Sequence, residues 1–448
     1  MNPRCPSFIR LSVLAFTLAT ATMAFASGAR LKVINTAQFT SPAGAFSHFV
    51  VDKNGNLYAI AGGGTGVCQD LGGGTAPCGT VYRLSPPTST GASWNATDLY
   101  NFQGAPNDGE NSLAPALLDG HGNIFGSTNL GGNGSGSGDN MCGSFALIQG
   151  CGTIFELSPQ SDGSWTEILL HEFLGTGDGE QPIGRLVQDA AGNIYGVTSF
   201  DGVSGAGLVF ELSPPAQSGG AWTETVLHQF GQNSGDGLSP AGGLVRDGKG
   251  NLYGTTYLGG GACNCGTVYR LSPPSQKGGS WTEAVLYSFT GGSDGLNPNS
   301  DLSIDLAGNL YGITTTGFLG ANGTVYQVAP PASGQTWTLT TLYAFQGNGD
   351  GSVPSGGVTL DKKGNLYGVT HFGGDASSTT GCSYGSMGCG TIYEISPSSS
   401  GWTKHTLHLF HSNDTVGTNP YVGLVFGRGG ALYGSIGINA FQLTLPGK

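Results

Sequence analysis

Six aspartates recur in one context and are the first candidates for chemistry. Asp108, Asp178, Asp236, Asp294 and Asp350 each precede a glycine, with a proline a few residues further on, and Asp414 is a looser sixth copy. Carboxylates beside turn carbonyls are the ligands that calcium takes, so a circle of them would make a cation- or ligand-binding rim. Calcium is the one cofactor this pattern suggests. The competing account is that an Asp-Gly turn spends its carboxylate on its own backbone, which equivalent turns would produce without any ligand.

Eight of the nine cysteines fall in neighbouring pairs: Cys68 and Cys78, Cys142 and Cys151, Cys263 and Cys265, Cys382 and Cys389. An even count in an exported chain reads as disulfides. No pair has the Cys-x-x-Cys spacing of a zinc site. Closing within each pair is the simplest connectivity, although Cys263-Asn264-Cys265 would form a very small ring. His171, His228 and His408 hold one repeated position, two before a Phe, where other copies carry Tyr100, Tyr287 and Tyr343. That exchange points to a packing side chain whose polar tip finds a partner. One such residue per copy, on outer strands, would not converge on a single metal.

Catalytic signatures are missing. There is no His-Glu-x-x-His, no nucleophile elbow and no phosphate loop in a strand–helix context. Gly131 to Asp139 superficially resembles a calcium-binding nonapeptide, but its Asp spacing is wrong. Arg185, Arg246 and Asp301 are the main charged departures from the repeat on the strands expected to line a channel.

The elements that position these residues are short strands. Glycine makes up 82 of 448 residues and only 10% of the chain is charged, yet aromatics also reach 10%. Disordered chains are poor in aromatics, so the glycines read as turns between strands. Gly-Asn-(Leu/Ile)-(Tyr/Phe) recurs at Asn56, Asn123, Asn193, Asn251, Asn309 and Asn365, with a decayed seventh copy at Gly430-Ala431-Leu432-Tyr433. Gly-(Thr/Leu)-(Val/Ile)-(Tyr/Phe) follows at Gly79, Gly152, Gly207, Gly266, Gly323 and Gly390, and Asn439 to Leu443 is its weak seventh copy. A Trp element begins at Trp94, Trp165, Trp222, Trp281, Trp337 and Trp402, each eight residues before a Phe. The even spacing predicts Trp and Phe on one face of a strand.

Each unit therefore holds four strands. Strand A ends at the Asp of Asp-x-x-Gly-Asn, strand B is the Asn-Leu-Tyr run, strand C the Thr-Val-Tyr run, and strand D runs from Trp to Phe. Four strands per repeat is the blade of a propeller. The seventh unit has no Trp strand after strand C, while Leu31 to Phe39 near the start has the spacing of one. The expected fold is thus all-β, a seven-bladed propeller over 27–448 whose last blade is closed by the N-terminal strand, leaving no exposed ring edge.

These units resemble the GloVer-type tandem repeats of exported bacterial proteins, the choice-of-anchor group. The Asp-x-x-Gly-Asn-Leu-Tyr hairpin is also similar to NHL-type propeller repeats. The resemblance implies the propeller-like fold and carries no established activity.

Arg4 and Arg10, the apolar run Leu11 to Phe25 and Ala24-Phe25-Ala26 fit a signal peptide over 1–26. The run is shorter than the ~20 residues a membrane span needs. Without those two arginines the 16 basic residues become 14 against 28 acidic ones. An acidic surface argues against a nucleic-acid partner. The expectation is a secreted, periplasmic or cell-surface monomer with no transmembrane segment.

All four cysteine pairs lie in B–C loops, which share a face with the D–A loops and vary from 14 residues (Asn193 to Gly207) to 29 (Asn123 to Gly152). Variable loops on a rigid scaffold commonly carry binding sites. The expected function is a non-catalytic binding or surface scaffold presenting a disulfide-stapled loop face to a glycan, polymer or protein. The alternative is a carbohydrate-active or lactone-active propeller enzyme, a lyase or hydrolase, with its site at the mouth of the central channel.

Overall fold

Six of the seven repeats are organised around an Asp-x-x-Gly-Asn turn. In the fourth copy Asp247 Oδ1 accepts the backbone N–H groups of Lys249 and Asn251, both at 2.9 Å. Its Oδ2 accepts from Asn251 Nδ2 at 2.7 Å and from the Tyr253 hydroxyl at 3.1 Å. One carboxylate thus closes the hairpin and anchors the first aromatic of the next strand. Gly250 has φ +88°, a conformation that a side chain resists. The same Asp–Asn bonds recur at Asp52, Asp119, Asp189, Asp305 and Asp361.

The computed structural model describes residues 28–34, 47–69, 75–89, 92–112, 114–133, 150–175, 177–200, 205–217, 219–276, 278–316, 322–333, 336–374, 382 and 387–446. The expected signal peptide, Cys142, Phe39 and most of Gly131–Asp139 lie outside these residues. Among the described residues there are seven antiparallel blades in the order A-B-C-D and no α-helix. Blade 4 is typical: strand A in two pieces, Gly237–Pro240 and Val245–Arg246, then Leu252–Gly259, Thr267–Ser272 and Thr282–Ser288. Blade 7 takes Val425–Phe426, Leu432–Ile436 and Asn439–Thr444 from the C-terminal end and Arg30–Ile34 from the N-terminal end. Arg30 faces Thr444 and Ile34 faces Ala440 across that last ladder, closing the ring as expected.

The expected shared face for Trp and Phe is corrected. Strand D carries a bulge at one position in six blades, for example where Val268 faces Tyr287 but Tyr269 faces Val285. The extra residue reverses the alternation. Trp281 therefore packs edge-on against Tyr195 of blade 3, at 5.8 Å between ring centres, while Phe289 packs against Tyr326 of blade 5, at 5.1 Å. One strand seals both neighbouring interfaces, and the core is a chain of aromatic layers between blades.

A second contact recurs between blades. Asn111, Gln181, Ser239, Asn297, Val353 and Asn419 all have positive φ, between 53° and 62°, at one position of strand A. Each donates its N–H to the carbonyl just before strand C of the preceding blade: Cys78, Cys151, Ala206, Cys265, Asn322 and Cys389, at 2.7–2.9 Å.

Candidate functional site

Seven residues, one per blade, share an equivalent place at the inner strand: His48, Pro115, Arg185, Gly243, Asp301, Gly357 and Gly423. They occupy one register position of strand A, four before the hairpin Asp in blades 1 to 6. Glycine fits here because backbones of adjacent blades touch; a Cβ on Gly243 would lie 1.9 Å from the Arg185 nitrogen. Blades 1, 3 and 5 instead carry polar side chains that reach across. His48 Nε2 accepts the Gly423 N–H at 2.8 Å, and Asp301 Oδ1 accepts the Gly243 N–H at 2.7 Å. Arg185 Nε lies 3.4 Å from Asp301 Oδ2. Desolvation lowers the His48 pKa to about 4, with Asp301 opposing and Arg185 assisting. A neutral imidazole that accepts at Nε2 carries its proton at Nδ1.

Over this plug lies a cavity of about 680 Å³ whose wall draws on all seven blades. Its rim holds three aromatic side chains with large accessible faces: Phe200, 44% exposed, Tyr257, 39%, and Tyr421, 63%. Between them Asn129, Asn299, Ser300 and Asn419 place polar groups in a wall that also holds Ile183 and Val422. Phe200 and Tyr257 come from the ends of strand B and Asn419 from the start of strand A, so the cavity opens on the face of the B–C and D–A loops.

The six aspartates are not gathered at this cavity; each closes the D–A loop of its own blade. Asp108 Oδ2 accepts from Gln103 N at 2.7 Å and from the Tyr100 hydroxyl at 2.9 Å. Asp294 holds Thr290 and Tyr287 in the same way, and Asp350 holds Gln346 and Tyr343. Asp178, Asp236 and Asp414 meet His171, His228 and His408 instead, at 3.5, 3.4 and 3.2 Å. The polar tip at the His/Tyr position thus finds its partner in the D–A loop.

Disulfides join Cys68 to Cys78, Cys263 to Cys265 and Cys382 to Cys389. One cysteine of each pair is the residue whose carbonyl holds the next blade. The structure brings Arg185 and Asp301 together but not Arg246, which lines a groove between blades 4 and 5 on the opposite face, beside Asp247 and Arg270. His48 escaped the sequence reading. Its signal was the offset: it stands four before Asp52, as Arg185 and Asp301 stand four before Asp189 and Asp305.

Residues 142–382 match the Gloeobacter/Verrucomicrobia repeat, more than half of the 448 residues, and the chain belongs to that family. No curated protein matches it significantly. Among solved structures it is similar to an ulvan lyase of a polysaccharide lyase family, with 11% identity, TM-score 0.50, and 90% of this chain and 94% of that chain covered. It is also similar to PorZ, a surface component of the type-IX secretion system of Porphyromonas gingivalis, with 14% identity, TM-score 0.49, and 89% of this chain and 46% of that chain covered. A protein of unknown function from Dyadobacter fermentans matches with 13% identity, TM-score 0.41, and 93% and 99% covered. At these identities the likeness is one of fold. Among the described residues no helix is long and apolar enough to cross a membrane, and the disulfides are consistent with folding in an oxidising compartment.

Proposed function

We propose that this repeat-family propeller binds a glycan chain in the central cavity, outside the cytoplasm and without transforming it. The observation that carries this reading is the pairing of exposed Phe200, Tyr257 and Tyr421 with the amides and hydroxyl of Asn129, Asn299, Asn419 and Ser300 in one cavity walled by all seven blades. Sugar rings offer apolar C–H faces and hydroxyl edges, which suit aromatic planes interleaved with amides and hydroxyls. The floor supports binding over catalysis. His48 Nε2 already accepts a backbone N–H, and Asp301 is held by Gly243 and Arg185, so the strongest acid–base groups are engaged in joining blades.

Affinity electrophoresis through gels containing neutral or acidic polysaccharides tests the reading. The wild type should be retarded by at least one polymer, and Y257A and Y421A should run faster in that gel. Retardation unchanged by both variants would remove the cavity from the binding site. Runs with calcium and with a chelator also test the rim of Asp108, Asp178, Asp236, Asp294, Asp350 and Asp414 as a calcium-dependent part of it.

One observation favours the alternative, a propeller lyase or hydrolase: His48, Arg185 and Asp301 break a register position otherwise held by glycine and proline. Polymer cleavage, seen as new reducing ends or unsaturated product and abolished in H48A, would establish it.

A further inference from the structure

The boundary between blades 3 and 4 holds three groups that the glycan reading does not use. His228 comes from strand D of blade 3, Asp236 from the loop leading into blade 4, and Glu283 from strand D of blade 4, two after Trp281. One nitrogen or carboxylate oxygen from each lies within 4.8 Å of the others. The Asp236 side chain is 3% exposed, and its Oδ2 has no hydrogen-bond partner. Glu283 Oε1 is likewise buried without one. Two buried carboxylates thus share one boundary, with the His228 imidazole and the Tyr269 hydroxyl as neighbouring polar tips. Burial and Asp236 push the Glu283 carboxyl above its ordinary range, with His228 opposing.

The chain contains its own comparisons. At the blade 4–5 boundary the three positions are Tyr287, Asp294 and Leu339; the hydroxyl donates to the Asp at 3.0 Å and no second carboxylate is present. At the blade 5–6 boundary they are Tyr343, Asp350 and Lys404, and the ammonium lies 2.9 Å from the carboxylate. Glu283 stands where blade 6 supplies the Lys404 ammonium, so this boundary lacks that cation, and histidine in place of tyrosine adds a nitrogen lone pair. A buried carboxylate pair without a counter-charge is costly, and a bound cation removes that cost.

We propose that His228, Asp236 and Glu283 bind a divalent first-row cation, Zn²⁺ by the chemistry of the donors, which ties blade 3 to blade 4. One imidazole nitrogen and two carboxylate oxygens are ligands of zinc, whereas calcium takes six to eight oxygens. His171, Asp178 and Glu224 form the same set at the blade 2–3 boundary, with ligand atoms within 4.8 Å, so a second equivalent belongs there. These sites lie at the ring periphery, one per boundary, and need no convergence of blades on the axis.

The test is calorimetric titration of Zn²⁺ into the chelator-stripped, oxidised protein, followed by melting with and without Zn²⁺. Two variants install residues that the chain itself carries at these positions: H228Y copies Tyr287, and E283L copies Leu339. The expected result is uptake of two equivalents by the wild type and one by either variant, with a smaller zinc-induced rise in Tm for the variants. Co²⁺ should give a visible absorption band that loses about half its intensity in H228Y. No uptake by the wild type, or the same stoichiometry in wild type, H228Y and E283L, would overturn the proposal. If E283L does not fold, H228Y and the cobalt band decide alone.

Discussion

Lys404 places its ammonium 2.9 Å from Asp350 Oδ1, across the boundary between blades 5 and 6, with its side chain only 4% exposed. The ammonium also lies 5.7 Å from the ring centres of Tyr343 and Phe345. Desolvation pulls the lysine pKa down while Asp350 opposes it. K404A strands a buried carboxylate and should cost about 3–5 kcal/mol of stability. K404M combined with D350N should recover most of it, because neither charge then remains. Urea unfolding of the two variants and the wild type checks both statements.

Closure of the ring rests on Arg30–Ile34, whose ladder with Asn439–Thr444 buries Ile34 to 2% exposure. Deleting these residues exposes the edge of blade 7 and removes five paired positions. At ~1 kcal/mol per hydrogen bond and ~2 kcal/mol for the isoleucine, the loss should be on the order of 5 kcal/mol. Limited proteolysis should then cut first within the C-terminal blade. Unchanged melting after the deletion would contradict the closure.

Stability should fall with acid through His48. Its folded pKa, about 4, lies below the ordinary 6.5, so the unfolded chain takes up the proton first. The contribution is complete above pH 6.5 and shrinks as pH falls towards 4. Because part of the ring surface is accessible in the channel, its size should be only on the order of 1–3 kcal/mol. H48N, which keeps a short polar side chain, should flatten this part of the pH profile in urea midpoints measured at pH 7 and pH 4.5.

Reduction of the disulfides should loosen the loop face and leave the propeller intact. The enclosed loops are short, with sequence separations of 10, 2 and 7 residues, and a short loop restricts the unfolded chain by only about 2–3 kcal/mol. The N–H groups of Asn111, Asn297 and Asn419, which bond the carbonyls of Cys78, Cys265 and Cys389, should exchange faster after reduction. Circular dichroism and hydrogen exchange before and after reduction read both effects. Loss of the β signal at room temperature would show that the staples hold the ring itself.

The amino-acid sequence by itself determined the number of blades, the strand order and the closing strand, because each depends on local signals repeated along the chain. Asp247 and Asn251 are four residues apart and bond directly, so their motif declares the hairpin wherever it occurs. Cysteine pairing was legible for the same reason, since partners lie within one loop. Relationships between blades were not legible in this way. Trp281 and Phe289 stand an even number of residues apart, yet a bulge that appears only in the paired sheet turns them to opposite faces. Glu283 meets His228 and Asp236 only when two blades pack, although 47 residues separate Asp236 from Glu283. His48, Arg185 and Asp301 are spread over more than 250 residues and become one polar plug because a closed ring carries the same register position of every blade to its axis. A periodic sequence states what each blade is; only closure decides which side chains of different blades come face to face.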